Sequence, residues 1–157
     1  MPILVLSLQI VLGPPALSQN SLPATAEKPQ TKAMPAYPEV PRMPAKELAK
    51  LLKNKAEIVI VDTQSADGYE MWHIPSAINI TYDSTADPTE RQLRLMALPM
   101  DKQIVVYCLC EEGTDSARMA LELRQLGYGK EEVKVLEGGL VLWDENGYPM
   151  IKQPTPK

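Results

Sequence analysis

Two cysteines, Cys108 and Cys110, stand where an apolar stretch of the sequence gives way to a polar loop. The stretch at 103–108 has the pattern of a buried strand, and 116–126, which ends before Gly127, has that of a helix. The N-terminus of a helix and the unpaired N–H groups of a loop favour negative charge, and both lower the pKa of a nearby thiol. The residues therefore predict thiolate chemistry at this junction, with a purely structural buried cysteine as the simpler alternative.

The elements that would position this junction alternate between strand and helix. The strands are predicted at 57–62, 77–80, 103–108 and 132–136, and the helices at 44–52, 66–72, 88–97, 116–126 and from 139 to Asn146-Gly147. This alternation over short connections predicts an α/β fold, with a parallel sheet and helices on both of its faces. Ligands of such sheets bind beyond the C-terminal ends of the strands, where we expect Cys108 and Asp62 to lie.

The segment before the first predicted helix has a different composition. Residues 3–12 are mostly apolar, which is too short a stretch to span a membrane but suits the core of a secretory signal, although no Lys or Arg follows Met1 directly. We predict a signal peptide over 1–18 and export to a periplasm or the medium, with an apolar N-terminus or a short strand as the alternative. Residues 19–43 are rich in Pro and polar side chains without apolar periodicity, which predicts a linker.

Composition and charge exclude several classes of function. The 157 residues leave room for one well-cored domain, for which we expect a monomer. A net charge of −4 without any basic run argues against nucleic-acid and anionic-lipid partners. Two cysteines suit neither a disulfide scaffold nor a four-ligand zinc site, and Gly138-Gly139 lacks the further glycines and the lysine of a phosphate loop. The sequence thus predicts no metal and no cofactor.

Three groups of residues resemble the signatures of the rhodanese-homology domain between about Pro44 and Pro149. They are Ile60-Val61-Asp62, Tyr69-Glu70 and His73 to Ile80; Ile104 to Cys108 with Ser116-Ala117-Arg118; and Leu126-Gly127-Tyr128, Val135 to Gly139, Trp143 and Gly147-Tyr148-Pro149. Each group alone is weak evidence for the family, but the order and spacing of the three groups together are strong evidence. We therefore assign 44–150 to a single rhodanese-like domain and 151–157 to a C-terminal tail.

The resemblance implies a central five-stranded parallel sheet and sulfur transfer through a persulfide. In that mechanism the Cys108 thiolate takes the outer sulfur of a small donor, such as thiosulfate or a polysulfide, and passes it to an acceptor thiol or to cyanide. Asp62 and Arg118 are candidate supporting residues. The loop whose N–H groups would hold the transferred sulfur contains Leu109, Glu111, Glu112, Gly113, Thr114, Asp115 and Ser116.

The active loop departs from the family pattern in its length and in its charge. Seven positions separate Cys108 from Ser116, more than is usual, and none of them is basic. Glu111, Glu112 and Asp115 are acidic, so they would raise the pKa of a thiol at the loop and repel a dianionic donor. We therefore expect weak activity with thiosulfate.

Cys110 leaves further interpretations open. Counted back from Ser116 it leaves a loop of five residues, so Cys110 could carry the persulfide itself, although we favour Cys108 because it ends the strand. Alternatively, Cys110 could resolve Cys108 as an easily reduced disulfide, and the chain would be a thiol redox protein. A rhodanese module that binds a partner without catalysis is the third interpretation. A phosphatase is disfavoured because the residue six positions after Cys108 is Thr114 rather than arginine.

Overall fold

The computed structural model describes residues 35–153, which contain five helices and seven strands. The helices are α1 (Ala45–Lys53), α2 (Ala66–Met71), α3 (Thr89–Met96), α4 (Thr114–Gln125) and α5 (Gly139–Glu145). The strands are β1 (Arg42–Met43), β2 (Ile58–Asp62), β3 (Trp72–His73), β4 (Ile78–Asn79), β5 (Gln103–Tyr107), β6 (Val133–Leu136) and β7 (Ile151–Lys152). The predicted signal peptide and the predicted linker up to residue 34 lie outside the described residues.

Five strands form one sheet in the order β1-β6-β5-β2-β4, and each neighbouring pair is parallel. The central strand β5 pairs with β2 on one side, where Ile60 faces Val105, and with β6 on the other, where Val106 faces Val135. The short strands β3 and β7 form a separate antiparallel pair. Because all five strands of the main sheet run the same way, their C-terminal ends share one edge.

The hydrophobic core lies on both faces of the sheet, and β5 contributes to each face in turn. Ile104 and Val106 pack with buried residues of α3 and α4, whereas Val105 and Tyr107 pack with those of α1 and α5. Successive side chains of a strand point to opposite faces, so a strand covered on both sides is apolar throughout. The predicted fold class, a parallel sheet with helices on both faces, is confirmed.

The fifth strand of the sheet comes from the segment that was predicted to be a linker. β1 pairs with β6, and its neighbour Pro41 accepts a hydrogen bond of 2.9 Å from the N–H of Val135. Val40 and Met43 are 1% and 0% exposed. The linker prediction is therefore wrong for 35–43. A strand of two residues is too short to show an apolar periodicity in the sequence. β1 forms because it pairs with β6, which is distant in sequence and sets its register.

Two further boundaries differ from the prediction. The residues of β7 fall in the predicted C-terminal tail, yet they pair with β3 beside α2. α4 begins two residues earlier than predicted, because Gly113 adopts a left-handed conformation with φ of +68° and turns the chain into the helix. Within residues 35–153, no helix is both long enough and apolar enough to cross a membrane.

Candidate active site

A cavity of about 450 Å³ opens at the C-terminal edge of the sheet, where β2 and β5 end. It is lined by Thr63, Gln64, Ser65, Asp67, Gly68, Met71, Trp72, Tyr82, Cys108, Leu109, Cys110 and Asp115. The lining thus comes from the residues after β2, from α2 and its surroundings, and from the predicted active loop. The cavity lies at the edge that the sequence predicts for ligand binding.

Both cysteines belong to this cavity, and the structure brings their sulfur atoms together. The two Sγ atoms lie 3.0 Å apart, and both residues are free thiols. Cys108 directly follows β5 and is 4% exposed, whereas Cys110 is half-buried. The separation is that of a short S–H···S contact and exceeds the roughly 2.05 Å of a disulfide bond. The site therefore contains two neighbouring thiols, of which Cys108 is the more deeply buried.

Ser116 provides hydrogen-bond donors for the deeper thiol. Its Oγ lies 3.5 Å from Cys108 Sγ and donates to it, and the backbone N–H of Ser116 also bonds to this sulfur. Burial raises the pKa of the Cys108 thiol well above its ordinary value, and the hydrogen bond with Cys110 raises it further, while the two bonds from Ser116 oppose these effects. Burial therefore outweighs the helix N-terminus that predicted a lowered pKa, and Cys108 is protonated at neutral pH.

The active loop is shorter than its sequence suggested. Since α4 begins at Thr114, the loop proper covers 109–113, and Asp115 and Ser116 belong to the first turn of the helix. The Gly113 carbonyl accepts hydrogen bonds from Ser116 Oγ at 3.1 Å and from the N–H of Ala117 at 2.9 Å. These bonds fix the start of α4 under the cysteines, so the loop enters the helix in one defined conformation.

Gly139, at the start of α5, packs directly against the backbone of the active loop. It has φ of +55°, and a Cβ on it would lie 2.6 Å from the carbonyl oxygens of both Cys108 and Cys110. The next residue, Leu140, donates its N–H to the Cys108 carbonyl at 2.9 Å. Only glycine allows this close approach, so the start of α5 packs against the backbone of both cysteines.

Asp62 lies at the end of β2 but does not hydrogen-bond to the active loop. Its carboxylate accepts a bond of 2.5 Å from the Tyr107 hydroxyl and bonds of 2.8 and 3.0 Å from the N–H and side-chain amide of Gln64. Burial raises the pKa of Asp62, and these bonds oppose the shift. Asp62 therefore joins the ends of two strands and orients Gln64, which lines the cavity.

Neither Arg118 nor His73 is among the described residues that line the cavity of the two cysteines. Arg118 Nε donates to the Tyr37 hydroxyl at 3.1 Å. His73 stacks on the ring of Tyr69 at 4.0 Å, and its Nδ1 lies 2.7 Å from the Tyr69 carbonyl oxygen. The structure thus gives both residues contacts that stabilise the fold.

Arg42 is a cation of the site that no sequence pattern indicates. Its Nη2 donates to the Glu112 carbonyl in the active loop at 3.2 Å, and its guanidinium packs on the backbone of Gly113. The residue lies in β1, inside the segment predicted to be a linker, so its place in the site could not be predicted from the sequence. A strand prediction for 42–43 would have placed it at the same sheet edge as Cys108.

The cavity itself is acidic. Of the twelve described residues that line it, Asp67 and Asp115 are acidic and none is basic. Glu111 and Glu112 are exposed on the adjoining loop. Residues 35–153 contain no cluster of three or more His, Cys, Asp or Glu side chains that could hold a metal ion. Of the three acidic residues that the sequence analysis named in the loop, Asp115 lines the cavity, and Glu111 and Glu112 lie on the loop beside it.

Fold and site together define a class: a parallel α/β domain with a cysteine at the C-terminal end of its central strand, followed by a loop and a helix N-terminus. The Rhodanese-like domain family matches residues 44–146. The chain belongs to this family, as its sequence signatures predicted. The family match begins after β1, so Arg42 lies outside the matched residues.

Curated relatives and a solved structure agree with this assignment. The chain is 30% identical over 107 residues to the thiosulfate sulfurtransferase GlpE of Coxiella burnetii, covering 68% of this chain and 87% of that one. It is 30% identical over 110 residues to the adenylyltransferase and sulfurtransferase UBA4 of Candida albicans, covering 67% of this chain. The match spans only 24% of the UBA4 protein. The BH2092 protein of Bacillus halodurans superposes with a TM-score of 0.60 at 25% identity, over 73% of this chain and 78% of that one.

Proposed function

We propose that this protein is a sulfurtransferase that carries sulfane sulfur as a persulfide on Cys108. The observation that carries the proposal is the position of Cys108 Sγ in the cavity wall, 3.5 Å from Ser116 Oγ and 3.0 Å from Cys110 Sγ. A persulfide on this atom would extend into the cavity, and the Ser116 donors would stabilise the sulfur anion formed when it is discharged. Membership of the rhodanese-like family and the names of its relatives support the same chemistry.

Each half of the proposed reaction exchanges one S–S bond for another. The Cys108 thiol first loses its proton to solvent, and the thiolate attacks the sulfane sulfur of the donor, whose S–S bond breaks with its electron pair on the leaving group. That group is sulfite from thiosulfate, or a chain one sulfur shorter from a polysulfide. An acceptor thiolate then attacks the outer sulfur, and Cys108 leaves as the thiolate. No external oxidant or reductant is required.

The charge of the cavity favours some donors over others. Thiosulfate is a dianion, and it would have to pass Asp67, Asp115 and the exposed Glu111 and Glu112. Like charges raise the free energy of such an encounter, most strongly at low ionic strength. We infer that the better donors are neutral or singly charged persulfides and polysulfides.

A thiol redox function is the second candidate, and the 3.0 Å separation of the two sulfur atoms favours it. If Cys110 attacked a Cys108 persulfide, a disulfide would form between them and hydrosulfide would leave. The same disulfide could form by exchange with an external disulfide, which would be reduced to two thiols. Both routes require both cysteines, whereas sulfur transfer requires one.

Intact-protein mass spectrometry of the full chain tests this proposal. The reduced protein is treated with a polysulfide, measured, and measured again after an acceptor thiol is added. We expect a gain of one sulfur that the acceptor removes. A loss of two hydrogens instead would favour the redox function, and an unchanged mass with every donor would leave only a binding role.

We also propose that the protein works outside the cytoplasm, on the strength of the apolar stretch at 3–12. Fractionation of cells that express the full chain, beside a variant that lacks residues 1–18, is the test. Loss of export on removal of these residues is the expected result, and an unchanged distribution would contradict it.

A further inference from the structure

Arg42 holds the active loop from outside the loop. Its Nη2 donates to the carbonyl oxygens of Ala36, at 2.5 Å, and of Glu112, at 3.2 Å. The Glu112 oxygen also accepts a bond of 3.0 Å from the N–H of Ala36. At Gly113 a Cβ would lie 2.7 Å from Arg42 Nη1, so the guanidinium packs on the loop backbone. The loop conformation therefore depends on a residue that lies before the family match.

Part of this guanidinium is buried without a hydrogen-bond partner. Nε and Nη1 of Arg42 are both buried and unpaired among the residues that the structure describes. A buried N–H group of a cation is unfavourable when unpaired, and a nearby anion relieves that cost. Burial lowers the pKa of Arg42, while the carboxylate of Glu137, and a thiolate on Cys108 or Cys110 when one forms, favour its protonated form. An arginine keeps its charge in such a setting.

The active loop has no cation of its own. None of the seven positions between Cys108 and Ser116 is basic, and no described residue in the cavity lining is basic either. A thiolate or persulfide anion on Cys108 would therefore face acidic side chains at the rim. Arg42, from β1, lies beside the loop: a Cβ on Gly113 would be 2.7 Å from its Nη1 and 3.2 Å from Ser116 Oγ, which itself lies 3.5 Å from Cys108 Sγ.

We propose that Arg42 is a positioning residue that supplies the missing positive charge. It fixes the loop through the Glu112 carbonyl and the Gly113 backbone, and it stabilises negative charge on Cys108 from the protein side of the loop. For the persulfide, this inference rests on the proposed function. For the thiolate it stands independently. A cation behind the loop stabilises the sulfur anion without drawing dianionic donors into the acidic cavity.

The test measures how readily Cys108 ionises when Arg42 is replaced. In a Cys110→Ser background, Cys108 is the one remaining cysteine of the sequence, and its alkylation by iodoacetamide is followed against pH by intact mass. We expect Arg42→Met to slow alkylation about tenfold at each pH below the pKa of Cys108, which corresponds to a pKa raised by about one unit. Arg42→Lys keeps the charge and should stay within about threefold of the parent rate.

Two controls keep the result interpretable. Lys102→Met removes a charge from an exposed ion pair with Glu57, before the start of β5 and at the other end of that strand from Cys108, and it should leave the profile unchanged. Arg42→Gln keeps a donor for the Glu112 carbonyl, so the comparison does not depend on the folding of Arg42→Met. An unchanged profile in both neutral variants would overturn the proposal, as would an Arg42→Lys profile shifted as far as that of Arg42→Met. Alkylation needs no sulfur donor. A wild type that forms no persulfide would therefore contradict the proposed function, but the alkylation rates would still test the role of Arg42.

Discussion

The hydroxyl of Tyr107 donates a hydrogen bond of 2.5 Å to Asp62 Oδ2, and this bond joins the C-terminal ends of the two central strands beside the active cavity. The same hydroxyl accepts a bond of 3.0 Å from the N–H of Ile74. Both side chains are 0% exposed. The bond therefore fixes the end of β5, which Cys108 follows directly. Because the Asp62 carboxylate is buried, its ionisation affects the stability of the fold.

Tyr107→Phe should destabilise the fold in a pH-dependent manner. The substitution leaves the Ile74 N–H unpaired and removes one donor from Asp62, which we expect to cost about 2 kcal/mol near pH 7. Burial raises the pKa of Asp62 in the folded state, so its contribution to stability is fully present below the pKa of the unfolded chain and is lost as pH rises through the folded pKa. Without Tyr107 the folded pKa rises further, and the cost should shrink as pH falls towards about 4.

Urea unfolding at several pH values measures this cost, with Tyr128→Phe as the matched control. The Tyr128 hydroxyl donates to the carbonyl oxygens of Leu95 and Leu98, at 2.7 and 2.8 Å, and no carboxylate is involved. Its destabilisation should not vary with pH. If the loss in free energy of unfolding caused by Tyr107→Phe is equally independent of pH, then the lost hydrogen bond does not change the pKa of Asp62.

The reactivity of Cys108 should rise steeply with pH. Burial and the Cys110 hydrogen bond raise the pKa of this thiol, so the thiolate is a small fraction near neutrality and grows about tenfold for each pH unit below the pKa. In a Cys110→Ser variant, the initial rate of persulfide formation should therefore still be increasing at about pH 9. Stopped-flow or quenched mass measurements give the profile. A plateau already reached near neutrality would indicate a lowered pKa and contradict this account.

Removal of acidic charge from the loop should make thiosulfate a better donor. We expect Glu111→Gln combined with Glu112→Gln to increase the rate of sulfur loading from thiosulfate about three- to tenfold at low salt, because a dianion meets less repulsion. The wild-type rate should also rise with ionic strength. Glu131→Gln combined with Glu132→Gln also removes two exposed acidic charges, so this pair is the charge-matched control and should change neither rate. Equal rates in the double variant and the wild type would show that the rim does not select the donor.

Gly139→Ala should disrupt the site far more than a similar change elsewhere. A Cβ at Gly139 would lie 2.6 Å from two backbone carbonyl oxygens of the active loop, whereas at Gly147, also left-handed with φ of +68°, it would meet nothing within 4 Å. Gly147→Ala should cost about 1 kcal/mol for the conformation alone. Gly139→Ala should cost about 2 kcal/mol more and lower the rate of Cys108 alkylation. Thermal unfolding and alkylation of both variants measure the difference, and equal costs would mean that α5 does not brace the loop.

The sequence predicts the elements with local signals and misses those that depend on distant contacts. The junction of β5 and α4 was predictable because a continuous apolar stretch, a polar loop and a helix ended by Gly127 are each visible locally. β1 was not, because two residues between prolines form a strand only through pairing with β6. The roles of Arg42 and Tyr107 follow from that pairing and from the register of β2 with β5, which no local pattern specifies.

The central claim, that Cys108 carries the transferred sulfur, is tested most directly by intact-protein mass spectrometry of Cys108→Ser and Cys110→Ser beside the wild type. Each variant is treated with the same polysulfide and then with an acceptor thiol. We predict a gain of one sulfur, removable by the acceptor, in the wild type and in Cys110→Ser, and no gain in Cys108→Ser. A gain that Cys108→Ser keeps and Cys110→Ser loses would contradict the claim and assign the persulfide to Cys110.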